Sequence, residues 1–211
     1  MTSHAGSTVA DRIADELAHR ILVGALKPGE RLRQEAFAYE FGASHVPVRE
    51  AFRRLEIQKL VESEPRRGVR VTALDARGER EISAMRAALE VLALQSIPGR
   101  LGRNQLAAIK AALEAGDAAE DIIAWEAANR AFHVALAQPC QMPRLVEAIA
   151  DLNLAYSRHV LAAEQSSTWR PRSNLGHRQI FEAYAAGDFQ SAASLLSAHI
   201  KTVDRVTRRP Q

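Results

Sequence analysis

The sequence predicts a mainly α fold in two parts: a winged helix-turn-helix over residues 7–73, a linker at 74–78, and an all-α bundle of six helices over 79–207. Three features carry this expectation. Two short helical stretches are separated by only Gly42 and Ala43 ahead of Ser44, the kind of tight connection that joins two crossed helices. Two short alternating stretches then flank Pro65-Arg66-Arg67-Gly68, a hairpin signal with a basic tip. From Asp75 onward the chain turns to alanine-rich helical periodicity without a strand signal.

The first helix is expected from about Val9 to Val23, where Val9, Ile13, Leu17 and Ile21 recur every four residues, and Gly24 ends it. Leu26-Lys27-Pro28-Gly29-Glu30 reads as a turn, because proline fixes φ and glycine supplies a positive one. The second helix, about Arg33 to Phe41, stops at Gly42, and Ser44 is a natural N-cap for a third from His45 to about Gln58. On that third helix Val48, Ala51, Phe52 and Leu55 share one face, while Arg49, Arg53 and Arg54 fall outside it. One face packs and the other is free to bind. The wing follows as Leu60-Val61-Glu62-Ser63 and Val69-Arg70-Val71. A plain three-helix domain with a solvated basic face is the alternative.

The six helices of the second part are expected at about Gly78 to Ser96, Asn104 to Leu113, Ala118 to Leu136, Met142 to Glu164, Ser173 to Ala185 and Asp188 to Arg205. Pro98-Gly99, Gly116-Asp117, Pro139, Pro171 and Gly187-Asp188 punctuate them.

With 211 residues, 47% of them hydrophobic, the chain can bury one large core or two modest ones. Its apolar runs fall far short of the roughly 20 residues a membrane span needs, and Met1 to Val9 lacks the basic start and apolar core of a secretion signal. A cytoplasmic location without membrane attachment is expected. The single cysteine, Cys140, excludes an internal disulfide and a thiolate zinc cluster, and in Gln138-Pro139-Cys140-Gln141 it reads as a half-buried filler in a turn.

A net charge of +3 does not by itself imply a nucleic-acid partner, but its distribution is informative. From Ser44 to Arg70 seven basic residues (Arg49, Arg53, Arg54, Lys59, Arg66, Arg67, Arg70) face four acidic ones, and arginine suits bidentate contacts with phosphate and guanine. Aromatic residues make up 5% of the chain and are not interleaved with basic ones, which favours double-stranded DNA over single strands; Trp125 and Trp169 read as packing residues.

In the second part, Asn129 and His133 are four residues apart and share a helical face, so an amide oxygen and an imidazole can converge. His177 lies ten residues before Gly187 and His199 eleven after Asp188, which sets both at one level of an antiparallel hairpin. Three histidines and an oxygen donor at one level could hold a divalent ion, Zn²⁺ first, with Ni²⁺ or Mn²⁺ as alternatives; separately hydrogen-bonded core histidines are the plainer reading. Arg86 and Glu90 are also four apart. They form either a helix-surface ion pair or an inward guanidinium that Glu90 orients toward the carboxylate of a ligand.

Three ordered stretches carry a family resemblance: Leu26-Lys27-Pro28-Gly29-Glu30-Arg31-Leu32, Phe41-Gly42-Ala43-Ser44-His45-Val46-Pro47-Val48-Arg49-Glu50-Ala51-Phe52-Arg53-Arg54-Leu55, and Arg66-Arg67-Gly68-Val69. Together they resemble the winged helix of GntR-family repressors. The distal helices resemble the FCD effector domain of that family's FadR group, VanR-like in type, through Arg86-x-x-x-Glu90, Asn129-x-x-Phe132-His133, His177 and His199. The resemblance runs from about Ser7 to Arg205.

It implies a homodimer on a palindromic duplex operator, contacted through Arg33, Ser44, His45, Val46, Pro47, Arg49 and Arg53 and through the wing residues Arg66, Arg67 and Gly68. It also implies a divalent metal held by Asn129, His133, His177 and His199, with Arg86 meeting a small carboxylate metabolite that controls operator affinity. Two positions depart from the family pattern: His45 replaces the arginine usual after the N-cap serine, and Asn129 replaces an aspartate. Two further functions compete with an effector-controlled repressor. One is a direct metal sensor. The other is a metal-dependent hydrolase, which a lack of any placed general base near His133 disfavours.

Overall fold

A computed structural model describes residues 8–64, 67–164 and 174–206. The chain divides into two compact units, Met1–Leu74 and Asp75–Gln211.

In the first unit, α1 (Val9–Leu22), α2 (Gln34–Glu40) and α3 (His45–Ile57) combine with the strands β1 (Arg31–Leu32), β2 (Val61–Glu64) and β3 (Gly68–Val71). Thr8 and Asp11 cap α1 reciprocally: the Asp11 N–H donates to Thr8 Oγ1 (3.1 Å) and the Thr8 N–H to Asp11 Oδ2 (2.8 Å). The four-residue spacing of Ile13, Leu17 and Ile21 turns these side chains toward α3, where Leu17, Val48, Ala51 and Leu55 are fully buried. Each buried Leu, Ile or Val side chain contributes about 1.5–3 kcal/mol. Gly42 makes the turn between α2 and α3 at φ +57°, a conformation that a Cβ disfavours.

The sheet order is β1-β3-β2, antiparallel throughout, with Arg31 opposite Arg70 and Val61 opposite Val71. Strand β1 was not expected, since two residues are too few to show an alternating pattern. The hairpin of β2 and β3 is the wing.

The second unit contains α4 (Ala76–Gln95), α5 (Arg103–Asp117), α6 (Ile122–Ala137), α7 (Pro143–Glu164), α8 (Leu175–Ala185) and α9 (Phe189–Val206). Helix α4 packs on α7 and α9, and α6 on α5 and α7. Phe132, Leu136, Ile109, Ile180, Tyr184 and Leu196 form the main core, in which Tyr184 Oη donates to the Leu136 carbonyl at 2.8 Å.

Three boundaries differ from expectation. Helix α4 starts at Ala76, inside the segment read as a linker, because Asp75 caps it by accepting from the Gly78 N–H at 2.6 Å. Helix α5 continues through Gly116 to Asp117 instead of stopping near Leu113. The glycine is there for a close approach, since a Cβ on it would lie 2.9 Å from Asn174 Nδ2. Helix α6 starts at Ile122, where Asp121 supplies the cap, not at Ala118. Cys140 ends a 3₁₀ turn, Gln138–Cys140, and is fully buried against Ala137 and Leu145.

Candidate functional site

The N-terminus of α3 is presented outward. Ser44 holds the extended backbone of an N-cap, but its hydroxyl makes no capping hydrogen bond, and Ser44, His45, Val46 and Arg49 are exposed. Gln34 donates from Nε2 to the His45 carbonyl at 2.7 Å and so ties the start of α3 to the start of α2. Pro47 falls in the first turn, where backbone N–H groups have no intrahelical acceptor, so its missing donor is no loss. The free N–H groups and the positive helix end favour an anion such as phosphate. Arg33 and Gly68 border an adjoining groove of about 450 Å³ together with Arg31, Gln34 and His45. Arg67 is exposed on the wing; Arg66 lies outside the described residues.

The arginine face is less free than its pattern implied. Arg54 is ion-paired with Asp11 of α1, and Arg53 lies 3.8 Å from Glu50. Arg70 donates to the Gly29 carbonyl at 3.1 Å and lies 3.5 Å from Glu64, so it braces the sheet.

The second unit encloses a polar centre. Helix α4 contributes Arg86 and Glu90, and α6 contributes Glu126, Asn129 and His133. Helix α7 adds Asn153, Tyr156 and Ser157, while α8 and α9 add His177 and His199. Arg86 is 3% exposed and Glu90 1%, so the pair is interior, not on a helix surface. Arg86 Nε donates to Glu90 Oε1 at 3.0 Å, and its guanidinium carbon sits 4.7 Å from the Tyr156 ring centre. Asn153 Nδ2 donates to the same Glu90 oxygen at 2.9 Å, and His133 Nδ1 lies 2.6 Å from the other. Burial alone would raise the Glu90 carboxyl, but His133 and Arg86, helped by Asn153, hold it down at about 2.

His133, His177 and His199 each offer one ring nitrogen within 4.8 Å of the others. Because the Glu90 carboxylate can only accept, His133 Nδ1 is the donor, and Nε2 is the ring nitrogen left for another partner. His177 Nδ1 faces Asn174 Oδ1 at 3.1 Å, which likewise leaves Nε2 as an acceptor, and that atom is buried with no hydrogen-bond partner. Burial first, then the nearby His133 ring and the Arg86 guanidinium, push His177 down to about 2 and His199 to about 3, so both of these rings are neutral. Three imidazoles converging on one point, those of His177 and His199 neutral and that of His177 with an orphaned nitrogen, are a donor set that could hold a divalent cation.

Asn129 lines the same cavity, with Arg86, Trp125, His133, Tyr156 and His199. Its Nδ2 donates to Glu126 Oε2 at 3.1 Å, so its carbonyl oxygen remains for another partner. The cavity measures about 20 Å³, room for one water-sized body.

Residues 9–71 match the family described as bacterial regulatory proteins, gntR family, and residues 81–202 match the FCD domain. The chain belongs to the GntR family. It is 30% identical over 205 residues to a protein named "Probable D-xylose utilization operon transcriptional repressor" from Paenarthrobacter nicotinovorans, covering 92% of this chain and 86% of that one. It is 27% identical over 201 residues to the HTH-type transcriptional repressor GlaR of Escherichia coli K12, covering 88% and 90%. A solved GntR regulator from Rhodococcus sp. RHA1 superposes with a TM-score of 0.80 at 25% identity, covering 95% of this chain and 98% of that one.

The protein is therefore a DNA-binding transcriptional regulator with an FCD effector domain, and the hydrolase reading is withdrawn. Among its described residues, no helix is long and apolar enough to cross a membrane.

Sequence reasoning for this GntR regulator anticipated the level of His177 and His199, whose ring centres are 4.5 Å apart. It gave no role in the polar centre to Glu126, Asn153, Tyr156 or Ser157, and it joined Glu90 to Arg86 alone, as a surface ion pair or as the group that orients an inward guanidinium. A signal for two of them was present: Asn153 and Ser157 are polar, four residues apart, and flanked on α7 by the buried Ile149, Tyr156 and Val160. Trp125, read as a packing residue, is both buried and part of the cavity wall.

Proposed function

We propose that the regulator is a repressor that binds a palindromic duplex operator as a homodimer, and that a small carboxylate metabolite, bound beside a divalent metal ion in the FCD domain, controls its operator affinity. The observation that carries this reading is the buried, unpartnered Nε2 of His177, on a ring that offers a nitrogen within 4.8 Å of those of His133 and His199. His133, His177 and His199 would hold the ion, with the Asn129 carbonyl as a fourth donor. Nitrogen-rich ligation with one oxygen suits Zn²⁺ best, then Ni²⁺ or Mn²⁺. The bound ion would supply a positive centre, and with Arg86 it would outweigh Glu90 and attract a carboxylate.

Operator contacts are assigned to Arg33, Ser44, His45, Val46, Pro47, Arg49, Arg53, Arg66, Arg67 and Gly68, with α3 in the major groove and the wing beside it. Operator DNA puts the protein in the cytoplasm.

The decisive experiment combines metal analysis of the purified protein with a thermal-shift screen of carboxylates, on metal-loaded and metal-stripped samples. A carboxylate should raise Tm in the loaded protein, by mass action, and an Arg86→Gln variant should lose that response. A response unchanged by stripping would overturn the metal-assisted site. The second reading, a direct metal sensor, is favoured by the small cavity, which takes an ion but no organic acid. Under it, operator affinity follows metal loading alone and no carboxylate shifts Tm.

A further inference from the structure

We infer that Glu126 is a positioning residue that turns the Asn129 carbonyl toward the ion, as Glu90 turns the His133 ring; this rests on the ligand set proposed above. Two parallel chains of contacts run from α7 to α6. In the first, Asn153 Nδ2 donates to Glu90 (2.9 Å), and Glu90 accepts from His133 Nδ1 (2.6 Å). In the second, Ser157 Oγ donates to Glu126 Oε1 (2.6 Å), and Glu126 Oε2 accepts from Asn129 Nδ2 (3.1 Å). Asn153 and Ser157 are one turn apart on α7, and Asn129 and His133 are one turn apart on α6, so the chains repeat in register.

The polarity of the second chain is dictated by chemistry. An amide has a donor end and an acceptor end, and a carboxylate offers acceptors only. Glu126 is 2% exposed, so no solvent competes for its oxygens. Burial raises the Glu126 carboxyl, against Ser157, Arg86 and Arg130; in its ionised form it takes the Asn129 amine, as the Nδ2–Oε2 contact has it, which leaves the carbonyl oxygen for another partner. Reversed, the amide would set two acceptors against each other and aim N–H donors at a cation. Ser157 holds the far oxygen of Glu126 and so fixes the carboxylate that fixes the amide. Partners standing behind ligands in this way typically govern metal affinity by about 10- to 100-fold.

The test uses the full-length regulator, stripped with chelator, titrated with Zn²⁺ by calorimetry and with Co²⁺ by visible absorption. Glu126→Met, of similar length, removes both acceptors, so nothing holds the Asn129 amine away from the ion. Zn²⁺ affinity should fall about 10- to 100-fold and the Co²⁺ bands should change. The combined Glu126→Gln, Asn129→Asp variant exchanges donor and acceptor across the same contact and again leaves an oxygen for the ion. Its affinity should recover to within about tenfold of the starting protein and exceed that of Asn129→Asp alone, whose carboxylate would face the Glu126 carboxylate; equal affinities would mean that the new carboxylate alone brings the recovery, and would overturn the positioning role. All of these side chains are similar in size, and the Tm of each metal-free variant checks the fold.

If Glu126→Met binds Zn²⁺ normally while Asn129→Ala binds it weakly, the positioning role is overturned and Asn129 stands as a ligand. A failed recovery in the exchanged pair also overturns it. If Asn129→Ala is unaffected but His177→Ala is not, Asn129 is no ligand, and both this inference and that part of the ligand set fall.

Discussion

His133 Nδ1 lies 2.6 Å from a carboxylate oxygen of Glu90, and each residue is 1% exposed. The bond joins α4 to α6 and makes Glu90 a junction between an imidazole, a guanidinium and the Asn153 amide. Removing the carboxylate leaves Arg86 buried without its counter-charge. Glu90→Ala should therefore destabilise the metal-free protein by about 3–5 kcal/mol, measured by urea unfolding. A loss below about 1 kcal/mol would mean that solvent reaches Arg86 and that the junction is not closed.

Acid should weaken the metal-free regulator in two stages. His177 and His199 are held neutral in the fold, at about 2 and about 3 against an ordinary 6.5. The unfolded chain therefore takes up protons that the folded one refuses, and their contribution, complete above about pH 6.5, declines as pH falls below it. Glu90, at about 2 against 4.5, adds a second decline that begins near pH 4.5. Urea unfolding in chelator from pH 7.5 to 4 should show the first decline, and it should flatten in a His177→Gln, His199→Gln variant. A level profile between pH 7 and 5 would contradict the burial of these rings.

Two glycines back the histidines. A Cβ on Gly176 would lie 2.9 Å from His199 Nδ1, and one on Gly116 would lie 2.9 Å from Asn174 Nδ2, the amide that faces His177. Gly176→Ala should displace the His199 ring and lower Zn²⁺ affinity at least about tenfold, and Gly116→Ala should act more weakly, through Asn174. Isothermal titration of both variants checks the order; equal, unchanged affinities would exclude a cradle.

On the winged helix, Arg49 and Arg54 should separate. Arg49 is exposed, and Arg49→Ala should remove measurable operator binding, whereas Arg54 serves Asp11 and Arg54→Ala should change affinity little. Gln34→Ala, which frees the His45 carbonyl, should weaken binding several-fold at a stability loss of about 1 kcal/mol. Fluorescence anisotropy on one operator duplex at fixed salt ranks the three. Operator loss on Arg54→Ala equal to that on Arg49→Ala would return Arg54 to the contact surface.

Periodicity made the helices of both units legible, because the residues that pack, such as Ile13, Leu17 and Ile21, recur at the helical period. The level of His177 and His199 was legible too, since a hairpin joint converts residue counts into height. What escaped depends on contacts distant in sequence. Gly116 reads as a breaker until Asn174 is seen occupying the place of its Cβ, and Arg54 reads as free until Asp11 is seen beside it. Glu126 lies seven residues from His133, so spacing does not connect the two. Its partner is the nearer Asn129, and its anchor, Ser157, comes from another helix.

The tightness of the cavity among Arg86, Asn129 and the histidines has a kinetic consequence. About 20 Å³ admits an ion or a water, so any organic acid must wait for the helices to part. Association would then be gated: at rising ligand concentration the observed rate levels off at the opening rate, and the apparent affinity is scaled down by the fraction of molecules open at any moment. Stopped-flow traces that keep accelerating linearly with ligand would show that the door already stands open.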